Sequence, residues 1–303
     1  MIAITIENST FCGADCLFCA RKKMENVNQN MPDELFYSII DDINEWNDGS
    51  VKAISFVGTG DPLLDPGFSN KVRYVKHNTD LKIHLTNTCH MLSGEILEVV
   101  CEYVDSVKIS HYGACAETFS KVHGKGIPYD RTVENINALL KREKRPRVYM
   151  GYLMVAENES DKDIWIDMWE SKCEEVNVWT PHNWAGLYQS SSTKGEAKTC
   201  GRPGKDFHIH VDGKVSACCL DVCGDLLVGD LQEQKWKDII GGDKLAEVIR
   251  LHEEGKFAEC GICGNCDLIY DRTDALIYSS NKLMKVGMKA GFGVNSVNFS
   301  SDK

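Results

Sequence analysis

Ile2-Ala3-Ile4-Thr5-Ile6-Glu7-Asn8-Ser9-Thr10-Phe11-Cys12-Gly13-Ala14-Asp15-Cys16-Leu17-Phe18-Cys19 runs a strand-like segment straight into three cysteines held in one short loop. Isoleucine at every second position from Ile2 predicts a strand that ends near Glu7. The cysteines follow as Cys12-x-x-x-Cys16-x-x-Cys19. A cubane iron–sulfur cluster normally takes four thiolates. A compact run of three leaves one iron open, able to bind a ligand and pass it an electron. Three such thiols with a distant fourth ligand would instead make a zinc site.

At 303 residues, with 43 % apolar and 26 % charged content, the chain can build one large core and a smaller appendage. Lys+Arg number 34 against 45 Asp+Glu, a formal charge of −11. That balance argues against a nucleic acid held through its phosphates and suits a cationic substrate. No long apolar run offers a membrane span, and the chain enters a strand at once, so a cytoplasmic protein with no membrane partner is expected. Fourteen cysteines in such a chain favour metal or redox chemistry over a disulfide framework. Three lie near the N-terminus and seven between Cys200 and Cys266.

β-rich segments recur at Ile2–Glu7, Lys52–Val57, Leu81–Thr86, Val104–Ser110, Arg147–Val155 and Glu175–Thr180. Helical stripes lie between some of them: Leu35, Phe36, Ile39, Ile40, Ile43 and Trp46; Val133, Ile136, Leu139 and Leu140; Ile164, Trp165, Met168 and Trp169. The alternation predicts an α/β fold, a partial (β/α)6 barrel over residues 1–186, with its site in the loops after the strands. Residues 186–205 read as a linker. A small cysteine-rich hairpin–helix domain over 187–303 is expected beyond it, with a tight turn at Asp212-Gly213, a helix over about Gln232–His252, Cys260-x-x-Cys263-x-x-Cys266 and a helical tail.

The first cysteine loop, with Phe18 before its last cysteine, closely resembles the cluster loop of the radical S-adenosylmethionine (radical SAM) enzymes. Three later segments resemble that family in the same order. Gly58-Thr59-Gly60-Asp61-Pro62 stands where the family has Gly-Gly-Glu-Pro, Thr86-Asn87-Thr88 where it has Thr-Asn-Gly, and Ser110-His111-Tyr112-Gly113 where it has Ser-Leu-Asp-Gly. The resemblance implies a [4Fe–4S] cluster held by Cys12, Cys16 and Cys19. It implies S-adenosylmethionine (SAM) at the open iron, beside Phe18, Gly58, Gly60, Asp61, Asn87 and Ser110. The chemistry implied is reductive cleavage of SAM to a 5′-deoxyadenosyl radical that takes hydrogen from a substrate, with a flavodoxin- or ferredoxin-type electron donor as partner. His111 and Tyr112 are expected to face the substrate cavity, although packing is the commoner role of a single histidine.

Cys200, Cys218, Cys219, Cys223, Cys260, Cys263 and Cys266, with Asp212-Gly213-Lys214-Val215 before Cys218 and Gly229-Asp230-Leu231 after it, resemble the SPASM/twitch extension of the same enzymes. The one-cluster twitch type fits better, since no cysteine follows Cys266. One auxiliary [4Fe–4S] cluster on Cys200, Cys218, Cys263 and Cys266 is expected. Cys260 is an alternative ligand, and zinc an alternative metal. Cys219, Cys223 and Cys260 are then surplus: packing thiols, or one of them a hydrogen-atom donor to a substrate radical.

The extension resembles twitch-type aminocyclitol dehydrogenases, which implies a small-molecule, carbohydrate-like substrate and either oxidation or, with a thiol donor, epimerisation. A maturase acting on a ribosomal peptide is the alternative, but such enzymes often carry an N-terminal leader-binding unit and this chain begins at its first strand. An iron–sulfur electron carrier or a zinc module would leave the SAM-like segments unexplained. His182, Asn183 and Trp184, at the end of the sixth strand, are the expected substrate contacts; aromatic packing under the linker would use the same residues.

Overall fold

Six strands, β1 (Ile2–Ile6), β2 (Val51–Phe56), β3 (Lys82–Asn87), β4 (Ser106–Ser110), β5 (Arg147–Leu153) and β6 (Glu175–Trp179), run parallel and in order. Between them lie α1 (Asp33–Trp46), α2 (Phe68–Asn78), α3 (Gly94–Tyr103), α4 (Ala116–His123), α5 (Tyr129–Leu140) and α6 (Lys162–Trp169). This computed structural model describes residues 1–25, 27–188, 196–270 and 275–282. The expected six parallel strands are therefore present, with α-helices in the five gaps between them and a short 3-10 turn, Trp184–Gly186, after the sixth. The expected C-terminal helical tail lies outside the described residues.

The strands alternate, and the alternation sorts the two faces. Ile4, Ile6, Ile54, Phe56, Ile83, Leu85, Val107, Ile109, Val148, Met150, Val176 and Val178 are buried against the helices. Each apolar side chain so buried contributes about 1.5–3 kcal/mol. The opposite face carries Thr5, Ser55, His84, Thr86, Ser106, Lys108, Ser110, Tyr149, Glu175 and Asn177. A parallel sheet usually buries apolar residues on both faces; this one carries mainly polar residues on its inner face, with the apolar Ala53, Leu153 and Trp179 among them.

The second unit is not a detached appendage. β7 (Asp206–Ile209) pairs in parallel with β1, and β8 (Lys214–Ser216) and β9 (Leu227–Asp230) continue antiparallel, while β10 (Leu276–Ser279) adds antiparallel to β6. One ten-stranded sheet results, in the order β10-β6-β5-β4-β3-β2-β1-β7-β8-β9. The β7–β8 turn spans His210–Lys214 and is one residue longer than a two-residue turn. Gly213 takes φ +84° there, a conformation that a side chain would strain. The helix expected over about Gln232–His252 is two helices, α7 (Trp236–Ile240) and α8 (Asp243–Glu253), parted at Gly241-Gly242.

Candidate functional site

Cys12, Cys16 and Cys19 sit in the loop leaving β1, half-buried and free of disulfides. Leu17 N and Asp15 N donate to Val122 O and His123 O, pinning the loop to the end of α4. Burial, then the charge of Asp61 and of Cys19, pushes the Cys12 thiol up to about 11. Burial raises Cys16 and Cys19 as well, and ionised Cys19 and Cys12 each oppose ionisation of Cys16. Three mutually opposed thiols hold their charge only around a cation, and an all-sulfur set suits iron–sulfur ligation.

The loop after β2 is bolted to this one. Glu7 Oε1 accepts from Thr59 N at 2.8 Å and Thr59 Oγ1 at 2.7 Å, Asp61 N donates to Phe11 O at 2.7 Å, and Asn8 Nδ2 reaches Pro62 O and Asp65 Oδ2. A Cβ on Gly60 would fall 2.2 Å from Ser9 O, and one on Gly58 would fall 2.5 Å from the Glu7 carboxylate. These two glycines are thus required by the cysteine loop itself. The Asp61 carboxylate accepts from Leu63 N at 2.9 Å through Oδ1, while its buried Oδ2 lies 3.1 Å from His90 Nδ1 with no hydrogen-bond partner among the described residues. Asn87 shares the helix-facing side of Ile109; its Oδ1 accepts from Cys89 N, while its buried Nδ2 has no partner among the described residues.

Behind the cysteines, His123 Nε2 accepts the Tyr112 amide at 3.1 Å. The ring proton therefore sits on Nδ1, which donates to Cys16 Sγ at 3.3 Å. Burial, then the rings of His111 and His90, holds His123 well below the ordinary histidine range, so it stays neutral. Tyr112 stacks on His123 at 4.7 Å and meets Phe18 edge-on at 5.4 Å. Expected at the cavity wall, Tyr112 is instead packed beneath the cysteine loop, 9 % exposed, with its phenol toward Ser110.

His111 is corrected outright. It continues the parity of Val107 and Ile109, so it points to the helices rather than to the inner face. It is fully buried among Phe119, Tyr129 and Trp169, and its Nδ1 accepts from Trp165 Nε1 at 3.1 Å. Lys108, two residues before Ser110 on the same inner face, was not singled out in the sequence. Burial pulls it down to about 8, opposed by Glu175, and it has no ion pair among the described residues.

In the second cysteine group, Cys218, Cys260, Cys263 and Cys266 are buried and Cys200 is half-buried. Burial, and charge on Asp267 and Cys200, push Cys266 up to about 12, while Cys260, Cys218 and Cys200 all oppose ionisation of Cys263. Cys260 and Cys263, together with His252, bring their ligand atoms within 4.8 Å of one another. Cys260 stands out because hydrogen bonds from Cys263 and His252 pull it down to about 5. Cys219 lies between Arg202 Nη1 at 3.1 Å and Asp206 Oδ2 at 3.4 Å. Of the three surplus thiols, only Cys223 is exposed.

A strap joins the two groups. Trp184 Nε1 donates to Phe18 O at 2.7 Å and Tyr188 Oη to Cys19 O at 2.8 Å. Asn183 and Asp267 exchange hydrogen bonds through Asn183 N and Asp267 N, and Asn183 Nδ2 donates to Asn265 O. Trp184 and Ala185 hold φ of +49° and +52°, strain kept by these contacts. Asn183, expected at substrate, is committed to the second cysteine loop. The His182 ring packs edge-on to Trp184 at 4.7 Å.

Residues 6–166 match the family model of the Radical SAM superfamily, and residues 200–267 match SPASM, an iron–sulfur cluster-binding domain. A relative from Pyrococcus furiosus, the tungsten-containing aldehyde ferredoxin oxidoreductase cofactor-modifying protein, is 29 % identical over 106 residues, 35 % of this chain and 29 % of that protein. The chain thus spans under a third of that relative's length. Among solved structures, BtrN in complex with AdoMet and 2-DOIA superposes with a TM-score of 0.62 at 16 % identity, covering 88 % of this chain and 93 % of that one. SuiB of Streptococcus suis bound to precursor peptide SuiA gives 0.62 at 14 %, covering 88 % and 71 %. Native anSMEcpe with bound AdoMet and Cp18Cys peptide gives 0.58 at 16 %, covering 96 % and 93 %. At these identities the likeness is one of fold.

Proposed function

The chain belongs to the Radical SAM superfamily, and from that premise we propose that it oxidises or epimerises a small carbohydrate- or aminocyclitol-like molecule. Its cofactors are a [4Fe–4S] cluster, S-adenosylmethionine and an auxiliary [4Fe–4S] cluster. When bound, they supply an electron and a 5′-deoxyadenosyl radical able to break an unactivated C–H bond. We assign Cys12, Cys16 and Cys19 to the first cluster, and Cys200, Cys218, Cys263 and Cys266 to the second, with Cys260 the alternative fourth ligand. The boundary between the two units is placed after Gly186.

The polar inner face of the sheet carries the substrate class. Barrel interiors are ordinarily filled by branched apolar residues. Here Thr86, Lys108, Ser110, Tyr149, Glu175 and Asn177 stand half-buried on that face. Such a face suits a ligand with a hydrogen-bonding group on most of its carbons. Lys108 has donors for hydroxyl or carbonyl oxygens; the Glu175 carboxylate already accepts from Asn177 Nδ2 and Asn281 Nδ2, and it is the net charge of −11 that suits an ammonium group on the substrate. Of the three surplus thiols of the second group, Cys223 is the exposed one and so the candidate hydrogen donor in an epimerisation. The reductant would be of the flavodoxin or ferredoxin type.

The test is hydrogen transfer. Protein reconstituted without oxygen and reduced by dithionite is given SAM and ring-deuterated aminocyclitols. Deuterium in the 5′-deoxyadenosine, with a keto or epimeric product, is expected. Transfer from a precursor peptide and from none of the cyclitols would replace this substrate class with the peptide reading.

A further inference from the structure

We propose that Glu7, His208 and His210 form a mononuclear site for a divalent transition-metal ion, zinc or ferrous iron, separate from both cysteine groups. The inference stands apart from the substrate proposed above. The topology makes the cluster. β7 lies beside β1 with Thr5 opposite His208 and Ile6 opposite Ile209, and Glu7 N donates to Ile209 O at 2.9 Å. Side chains two apart share a face, so His208 and His210 emerge beside Glu7. The ligand atoms these three residues offer lie within 4.8 Å of one another.

Each residue has a donor left over for an ion. Glu7 is 2 % exposed, and its Oε1 is taken by Thr59, which leaves Oε2. His208 is 1 % exposed, and among the described residues neither of its ring nitrogens has a hydrogen-bond partner. An imidazole buried without a partner is unfavourable unless something else satisfies it. Its Nε2 stands 3.9 Å from Glu7 Oε2, too far for a hydrogen bond. Two ligands about 2.1 Å from one tetrahedral ion would be about 3.4 Å apart, so closure needs only a small approach.

His210 is held as a metal-ligating histidine usually is. Ser216 Oγ gives its single hydrogen to Asp221 Oδ2 at 2.6 Å, so it can only accept from His210 Nε2, 2.8 Å away. The proton is thereby fixed on Nε2 and the lone pair on Nδ1. Asp221 in turn accepts from Asp225 N and Leu226 N, both at 2.8 Å. A histidine anchored through its second nitrogen to a hydroxyl and a carboxylate is the common outer-sphere arrangement of metal sites. Glu7 and His210 also line a cleft of about 390 Å³, shared with Lys23, Asp212 and Cys223, which gives an ion a way in. Two imidazoles and one carboxylate suit zinc or ferrous iron and leave positions open for water or an oxygen ligand.

The test uses anaerobically reconstituted protein with both clusters in place. Zinc is added, excess is removed, and bound metal is counted and examined by X-ray absorption. One zinc per chain in a shell of nitrogen and oxygen only is expected. Isotopically labelled ferrous iron, added in a parallel arm, would give a high-spin ferrous Mössbauer signal distinct from the clusters; either ion seated this way supports the site. His208→Ala should weaken retention at least 100-fold with cluster iron unchanged, and Ser216→Ala by about 10–100-fold. If His208→Ala loses its clusters through misfolding, the wild-type shell and Ser216→Ala decide. No retained ion, sulfur in the shell, or retention unaltered in the folded variants would overturn the proposal.

Discussion

At the scale of single residues, two buried histidines do opposite work. His123 donates to Cys16 Sγ because the Tyr112 amide occupies its other nitrogen. A donor to a cluster sulfur stabilises the more negative, reduced state. His123→Phe keeps a ring on Tyr112 but removes the donor, and should lower the midpoint potential of the first cluster by about 20–60 mV, the one-electron equivalent of about 0.5–1.5 kcal/mol. Potentiometric EPR reads this directly, and an unchanged potential would show that the contact only packs. His111 bears instead on acid stability. Burial pulls it from the ordinary range down to about 3. Between about pH 6.5 and 3 the unfolded chain binds a proton that the folded chain refuses, so stability falls with pH by about 1.4 kcal/mol per unit from this residue. His111→Phe should make the acid limb of a urea-unfolding series shallower by about that slope. At pH 7 it should cost about 1–3 kcal/mol, because Trp165 Nε1 loses its acceptor. Parallel acid limbs for the two proteins would exclude this role.

At the scale of elements, the site depends on how α1, α2 and the loop after β2 are tied. Lys71 is fully buried on α2, 2.6 Å from Asp33 at the start of α1 and 2.8 Å from Asp65, and it also donates to Met31 O. Asp65 meets Asn8 at the mouth of the cysteine loop. Removing one partner of a buried ion group leaves the rest uncompensated and costs about 3–5 kcal/mol. Lys71→Met should therefore lower stability by about that amount and reduce iron bound by the first cysteines; a loss under about 1 kcal/mol in denaturant unfolding would mean the loops are held elsewhere. The same lysine explains what the sequence hid. It sits on the buried stripe of α2 with Phe68, Val72 and Val75, and a charge in that stripe breaks the apolar period by which α1, α5 and α6 were legible. The cysteine loops and the β-α alternation could be read because their signals are local. Glu7, Asn8 and His123 could not, since their partners Thr59, Asp65 and Cys16 lie 52, 57 and 107 residues away in the chain. His111 misled for a different reason: a strand end near the site does not fix which face a side chain takes.

At the scale of the molecule, the two units share more than a linker. The β7 ladder runs along β1 from Ala3–Asp206 to Ile6–Ile209, so the first strand of the barrel unit is an interior strand of the sheet. Trp236 of α7 is fully buried, packs on Phe207 at 5.1 Å and donates its amide to Asp42 of α1 at 2.6 Å. The strap residue Asn183 is held by Asp267 and Asn265, while its neighbour Trp184 holds Phe18. Cutting the chain after Gly186 would thus open the hydrogen-bonding edge of β1, uncover the α1 side of the Trp236 contact and release the strap from its anchor. An exposed apolar edge strand pairs with other chains. Residues 1–186 alone should consequently be largely insoluble, or soluble with little iron after anaerobic reconstitution. The full-length Cys263→Ala, Cys266→Ala double variant separates the causes, since it lacks auxiliary ligands but keeps β7 and α7, and it should stay soluble with the first cluster intact. If the fragment is soluble and fills its three-cysteine site as well as the full chain does, the continuous sheet is adjacency without mechanical consequence, and the first unit stands by itself.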